Sequence, residues 1–94
     1  MAVYRITRLR ALDSGQVRQI IEAMRDTIAS MGADFIDVAE GDEDTVVIVA
    51  RYPTTSAIEA ATAIAQGAFS EMVTRGAVDS TSIDQWVGHV TMSF

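Results

Sequence analysis

Four consecutive apolar residues, Val46, Val47, Ile48 and Val49, constrain this chain more than any other feature in it. β-Branched side chains favour extended backbone, and successive residues of a strand point to opposite faces. The run therefore predicts a central strand that is apolar on both sides and must be covered on both. The 94 residues make one domain, 1–94, with material for a single layer of helices over one face of a sheet. The other face then needs a second copy of the chain. Composition agrees: 49% of the residues are hydrophobic, while a chain this size buries only about 60–65% of its unfolded surface.

The segments around that run supply the rest of a sheet and its cover. Val3 to Leu9 alternates, with Val3, Arg5, Thr7 and Leu9 on one side and Tyr4, Ile6 and Arg8 on the other. Asp13 or Ser14 offers a helix N-cap, and Asp13 with Gln16 has the spacing of a capping-box variant. Val17, Ile20, Ile21, Met24, Ile28 and Met31 then follow as one helical stripe that ends at Gly32. Asp34 to Ala39 reads as a second strand, Glu40 to Asp44 as a turn, and Thr45 to Tyr52 as the third strand, closed by Pro53. Ser56 with Glu59 forms a capping-box pattern that opens a second helix. Its stripe runs from Ile58 through Ala61, Ile64, Ala65, Ala68, Phe69 and Met72 to Val73, ending before Gly76. Periodicity leaves the last strand at either 78–83 or 86–94. The order is strand, helix, strand, strand, helix, strand. Right-handed crossovers place both helices on one face of an antiparallel sheet, so the predicted fold class is α+β, a ferredoxin-like βαββαβ arrangement.

Charge and composition narrow the partners. The net charge is −6 and all seven basic residues are arginines. An acidic domain repels phosphate backbones, so no nucleic acid is expected as a partner. Arg5, Arg8 and Arg10 cluster near the start and are read as arginines on the exposed face and end of the first strand, with a local anion site as the alternative. With no cysteine, neither a disulfide nor a thiolate metal site can form. No apolar run reaches the length of a membrane span, and the first residues lack the apolar core of a signal peptide. The expectation is a cytoplasmic protein with no membrane partner.

Few residues carry recognisable chemistry. His89 is the only histidine and the one candidate general base, since imidazole titrates near neutral pH. Asp42, Glu43 and Asp44 lack the alternating ligand spacing of a calcium loop and read as an acidic hairpin turn. No glycine-rich phosphate loop is present. Nothing calls for a metal or another cofactor.

The stretch Gly41-Asp-Glu-Asp-Thr-Val-Val-Ile-Val49, the pair Tyr52-Pro53 and the alanine-rich segment from Ser56 resemble the dimeric α+β barrel superfamily. Within it they are most similar to the GYD-type small domains, relatives of the antibiotic-biosynthesis-monooxygenase fold. Gly76 to Ile83 is similar to the glycine-led fourth strand of those domains. The family's Gly-Tyr-Asp is here Gly41-Asp42-Glu43-Asp44, without the tyrosine and with a longer turn. The resemblance implies a homodimer joined through the sheet faces. It also implies a cleft between helices and sheet, where aromatic and arginine side chains hold planar or acidic ligands. The residues carried over as candidates are Tyr4, Arg51, Tyr52 and Trp86; Arg51 and Tyr52 point to opposite faces, so at most one of them reaches the cleft. The asparagine used by the quinone-forming monooxygenases has no counterpart, because the chain contains no asparagine. Three functions follow as expectations. The first is a small-molecule-binding homodimer, sensory or accessory. The second is a cofactor-independent monooxygenase or isomerase acting on a small aromatic or polyketide-like compound. The third is a structural interaction module.

Overall fold

The computed structural model describes residues 2–94. The strands are β1 (Val3–Arg10), β2 (Phe35–Glu40), β3 (Thr45–Tyr52) and β4 (Asp84–His89). The helices are α1 (Ser14–Ala23), α2 (Arg25–Ala29) and α3 (Thr55–Thr74). All strand pairs are antiparallel and the sheet order is β2-β3-β1-β4. This is the ferredoxin-like arrangement, with the apolar β3 inside the sheet between β2 and β1.

Register decides which residues meet the helices. Val46, Ile48, Ala50 and Tyr52 of β3 share the helix-covered face with Val3, Arg5, Thr7 and Leu9 of β1. Two core clusters form there. One joins Leu9, Val17, Ile20, Val46 and Met72, and the other joins Val3, Ala50, Tyr52, Ile58 and Ala61. Each fully buried aliphatic side chain of this kind contributes roughly 1.5–3 kcal/mol.

The remaining positions face away from the helices. Tyr4, Phe35 and Arg51 occupy one row across that open face, and Gly88 continues it onto β4. The Phe35 and Tyr4 rings meet edge to face at 6.2 Å across the Arg51 position. The Trp86 indole lies over Gly88, where an added Cβ would come within 2.1 Å of the ring. Glycine at 88 is thus what lets the indole lie flat on the strand. Phe35 and Trp86 stay 38% and 58% exposed, leaving an aromatic belt uncovered.

Four boundaries differ from the sequence reading. The Val17–Met31 stripe is not one helix, because the backbone breaks at Met24 (φ −98°, ψ 8°), giving three α-helices among the described residues instead of two. Met24 packs on the first cluster and Met31 on the second, and the break lets a single stripe serve both. The cap of α3 is Thr54, which accepts from the Ala57 N–H, and not Ser56. The segment 78–83 is not a strand. Val78 makes only an isolated bridge to Ala11, and Asp79 accepts from the Thr81 N–H and hydroxyl to wind Ser80–Ser82 into a 3₁₀ turn. Side chains of this type compete with sheet pairing. The tail beyond His89 is not a strand either, because β1 starts at Val3; the last link is the Val90 N–H to the Ala2 carbonyl at 2.9 Å.

Helix α3 ends in a Schellman motif. The Ala77 N–H reaches the Met72 carbonyl and the Gly76 N–H the Val73 carbonyl, with Gly76 at φ +72°. Earlier in the same helix, Gly67 is exposed, and an added Cβ would meet nothing within 4 Å. Its smallness serves no close contact. Gly67→Ala is therefore expected to stabilise the protein by about 1 kcal/mol. Urea denaturation checks this; an unchanged or lower midpoint would mean that the flexibility of α3 matters to the fold.

Candidate ligand cavity

Between the two core clusters, the middle of the helix-covered face is not filled. A cavity of about 70 Å³ lies there, walled on one side by Ile21, Met24 and Ile28 and on the other by Ile64, Ala68 and Phe69. The sheet supplies its floor, including Ile48 and Ala50 of β3. Alanines at 65 and 68 leave room where larger side chains of α3 would close it.

The polar groups of this chamber come from two strands. Arg5 and Thr7 of β1 line it, 7% and 1% exposed, together with Tyr52 at 1%. Arg5 Nη2 donates to the Ile58 carbonyl at 3.3 Å and to Thr62 Oγ1 at 2.6 Å, tying β1 to α3. The Thr62 hydroxyl in turn donates a hydrogen bond to the same Ile58 carbonyl at 2.9 Å. The Tyr52 ring centroid is 5.9 Å from the Arg5 guanidinium carbon, within cation–π range. Arg5 Nη1 is buried and has no hydrogen-bond partner. Among the described residues, Arg5 takes part in no ion pair.

The candidates from the sequence are not brought together. Tyr52 is in the cavity, whereas Tyr4, Arg51 and Trp86 lie on the opposite face of the sheet. Arg51 there sits 3.7 Å from Asp34. His89 ends β4 on the helix side but outside the cavity, exposed, with Nε2 3.4 Å from Thr55 Oγ1. Arg8 and Arg10 are exposed as expected, but Arg5 is not. The alternation of β1 puts it on the same side as Val3 and Leu9, and that side is the covered one. An arginine in phase with buried neighbours was the signal that could have identified the site. Among the described residues, no three His, Asp or Glu side chains gather into a metal-binding cluster. Among the described residues, no helix is long and apolar enough to cross a membrane.

The architecture defines the ferredoxin-like α+β class. Known structures share it over nearly the whole chain. Rv0793 from Mycobacterium tuberculosis superposes with a TM-score of 0.75 at 16% identity, covering 99% of this chain and 98% of its own. SnoaB, a cofactor-independent oxygenase from Streptomyces nogalater, gives 0.73 at 13% identity, covering 98% and 95%. A dimeric ferredoxin-like protein from an uncultured marine organism gives 0.69 at 11%, covering 99% and 90%. At such identities the likeness is one of fold. No family model and no curated protein sequence matches the chain.

Burial pushes the Tyr52 hydroxyl above its usual pKa of 10.0, against the opposing pull of the Arg5 charge. The folded state therefore holds this proton after the unfolded chain has begun to lose it. By linkage, the contribution of Tyr52 to stability is complete below about pH 10 and declines as pH rises through that value. Urea midpoints at pH 9 and pH 10.5 should fall for the native protein and fall less for Tyr52→Phe. Equal losses in both would place the tyrosine hydroxyl in water.

Proposed function

We propose that this protein is a small-molecule-binding homodimer whose ligand enters the cavity between helices and sheet. One observation carries the reading: an apolar chamber left open in the middle of the core. Native interiors pack as densely as organic crystals and keep few voids larger than a water molecule. A dry engineered cavity of about 150 Å³ takes up benzene, so 70 Å³ fits only a fragment of a ligand unless the lining side chains move. Met24, Met31 and Met72 border the space, and flexible thioether side chains can yield to admit more.

A cofactor-independent oxygenase is the second reading, favoured by the likeness to SnoaB. Such chemistry needs a group to take a proton from the substrate. The lining holds no carboxylate and no imidazole, and Tyr52 is shifted toward keeping its proton. Binding without turnover fits this lining better. Native mass spectrometry of the purified protein is expected to report a dimer that retains or takes up small apolar molecules. Failure to bind any, with millimolar additions followed by ligand-observed NMR, would remove the binding reading. Oxygen uptake with an electron-rich phenol, above the protein-free rate, would favour the oxygenase instead.

The dimer is proposed to form through the open sheet face. The belt leaves Phe35 and Trp86 exposed beside the half-buried Ile6, Val47 and Val49, and contiguous exposed apolar surface marks an interaction site. Val49 points away from the helices, so Val49→Asp leaves the core intact but places a charge in the pairing surface. The variant should remain folded by circular dichroism and dissociate at least about 100-fold more readily in analytical ultracentrifugation. A folded dimer of unchanged affinity would show that the copies meet elsewhere or not at all.

A further inference from the structure

We infer that the cavity is a receptor for a singly charged amphiphile, an apolar small molecule with one oxyanion end that Arg5 grips. The inference rests on the cavity being a ligand site and adds the chemistry of the ligand.

The guanidinium carries its charge at any pH the protein survives, so burial cannot be relieved by losing a proton. Moving such a charge out of water is costly unless a counter-charge and hydrogen bonds meet it. Here Nη2 is anchored on the Ile58 carbonyl and Thr62, which fixes the orientation of the group. Nη1 is left buried and unpartnered, and no carboxylate pairs with the residue among the described residues. Arg5 lines a chamber whose other walls are almost wholly apolar, and Nη1 is covered there by neighbouring side chains that a ligand would have to displace. An oxyanion brought there would gain a charge-assisted hydrogen bond in surroundings that screen it little.

The same inventory sets the ligand's charge. Arg5 is the single cation of the lining, so one negative charge is neutralised and a phosphate dianion would leave an excess. A structural clamp between β1 and α3 would need only the Nη2 bonds. Thr62 keeps its own bond to the Ile58 carbonyl within α3 without Arg5, so replacing Arg5 leaves that hydroxyl satisfied.

Hexanoate and 1-hexanol make the test, sharing a chain and differing in the charged end. Binding of each is measured at pH 7 by ligand-observed NMR titration. The native protein should bind hexanoate at least about 10-fold more tightly than 1-hexanol, about 1.4 kcal/mol. Arg5→Met should bring the two to parity while still binding the alcohol, and Arg5→Lys should restore part of the preference. Equal binding of both probes by the native protein would overturn the role of Arg5 and leave the cavity reading standing. Binding of neither would overturn the cavity reading, and this inference with it. Should Arg5→Met not fold, the ratio measured on the native protein decides alone.

Discussion

The ladder between β1 and β3 is the contact on which everything else depends. Its register pairs Val3 with Tyr52 and continues in step to Arg10 opposite Thr45. Because side chains alternate, that one alignment sorts sixteen residues onto two faces. A slip by a single residue would turn Val46, Ile48 and Ala50 to the open side and bring Arg51 against the helices. The helix layer then has no choice of partner. Leu9 and Val46 gather α1 and the end of α3 at one end of the sheet, and Val3, Ala50 and Tyr52 gather the start of α3 at the other. The cavity lies in the rows between these two anchors. It is a consequence of where the clusters form as much as of the small residues above it.

How much of this was legible in the sequence follows from which forces are local. The strands β1 to β3, their order and the ferredoxin-like topology were readable, because alternation and the apolar run at 46–49 are properties of neighbouring residues. The Asp13 cap was readable too, being a side chain three residues from the N–H it meets, at 3.1 Å. The break at Met24 was not. No proline or glycine marks it, and it arises because a single stripe packs on two clusters separated along the sheet. The fourth strand was misplaced from both directions. Its limits are set by Asp79, which winds the preceding turn, and by the start of β1, which leaves the tail without a neighbour. Neither limit is visible as periodicity.

The site was less legible than the fold for a related reason. Of the residues carried over by resemblance, Tyr52 alone lines the cavity, while Tyr4, Arg51 and Trp86 share the opposite face. Composition suggested an exposed Arg5, since arginines usually are exposed. Alternation suggested the reverse, since Arg5 stands in phase with Val3, Thr7 and Leu9. Where a residue's type and its phase disagree, functional or strained positions are to be expected. Arg5 is the clearest such conflict in the chain.

That conflict also bears on stability. A small domain has a net stability of only a few kcal/mol, and a buried charge with an idle donor draws on that margin. The Nη2 bonds and the Tyr52 ring offset part of the cost, but neither neutralises the charge. Two routes remain by which the molecule can offset the rest. Cover of the aromatic belt by a second copy would add apolar burial, which is general and indifferent to what the cavity holds. An oxyanion against Nη1 would act on the charge itself, and because it binds only the folded state it would stabilise by mass action. The two routes lie on opposite faces of one sheet and share the strands β1 and β3. Those strands carry Arg5 on one side and Tyr4, Ile6, Val47 and Val49 on the other. In the proposed dimer, pairing of the copies would act on these strands from one face and an occupied cavity would act on them from the other.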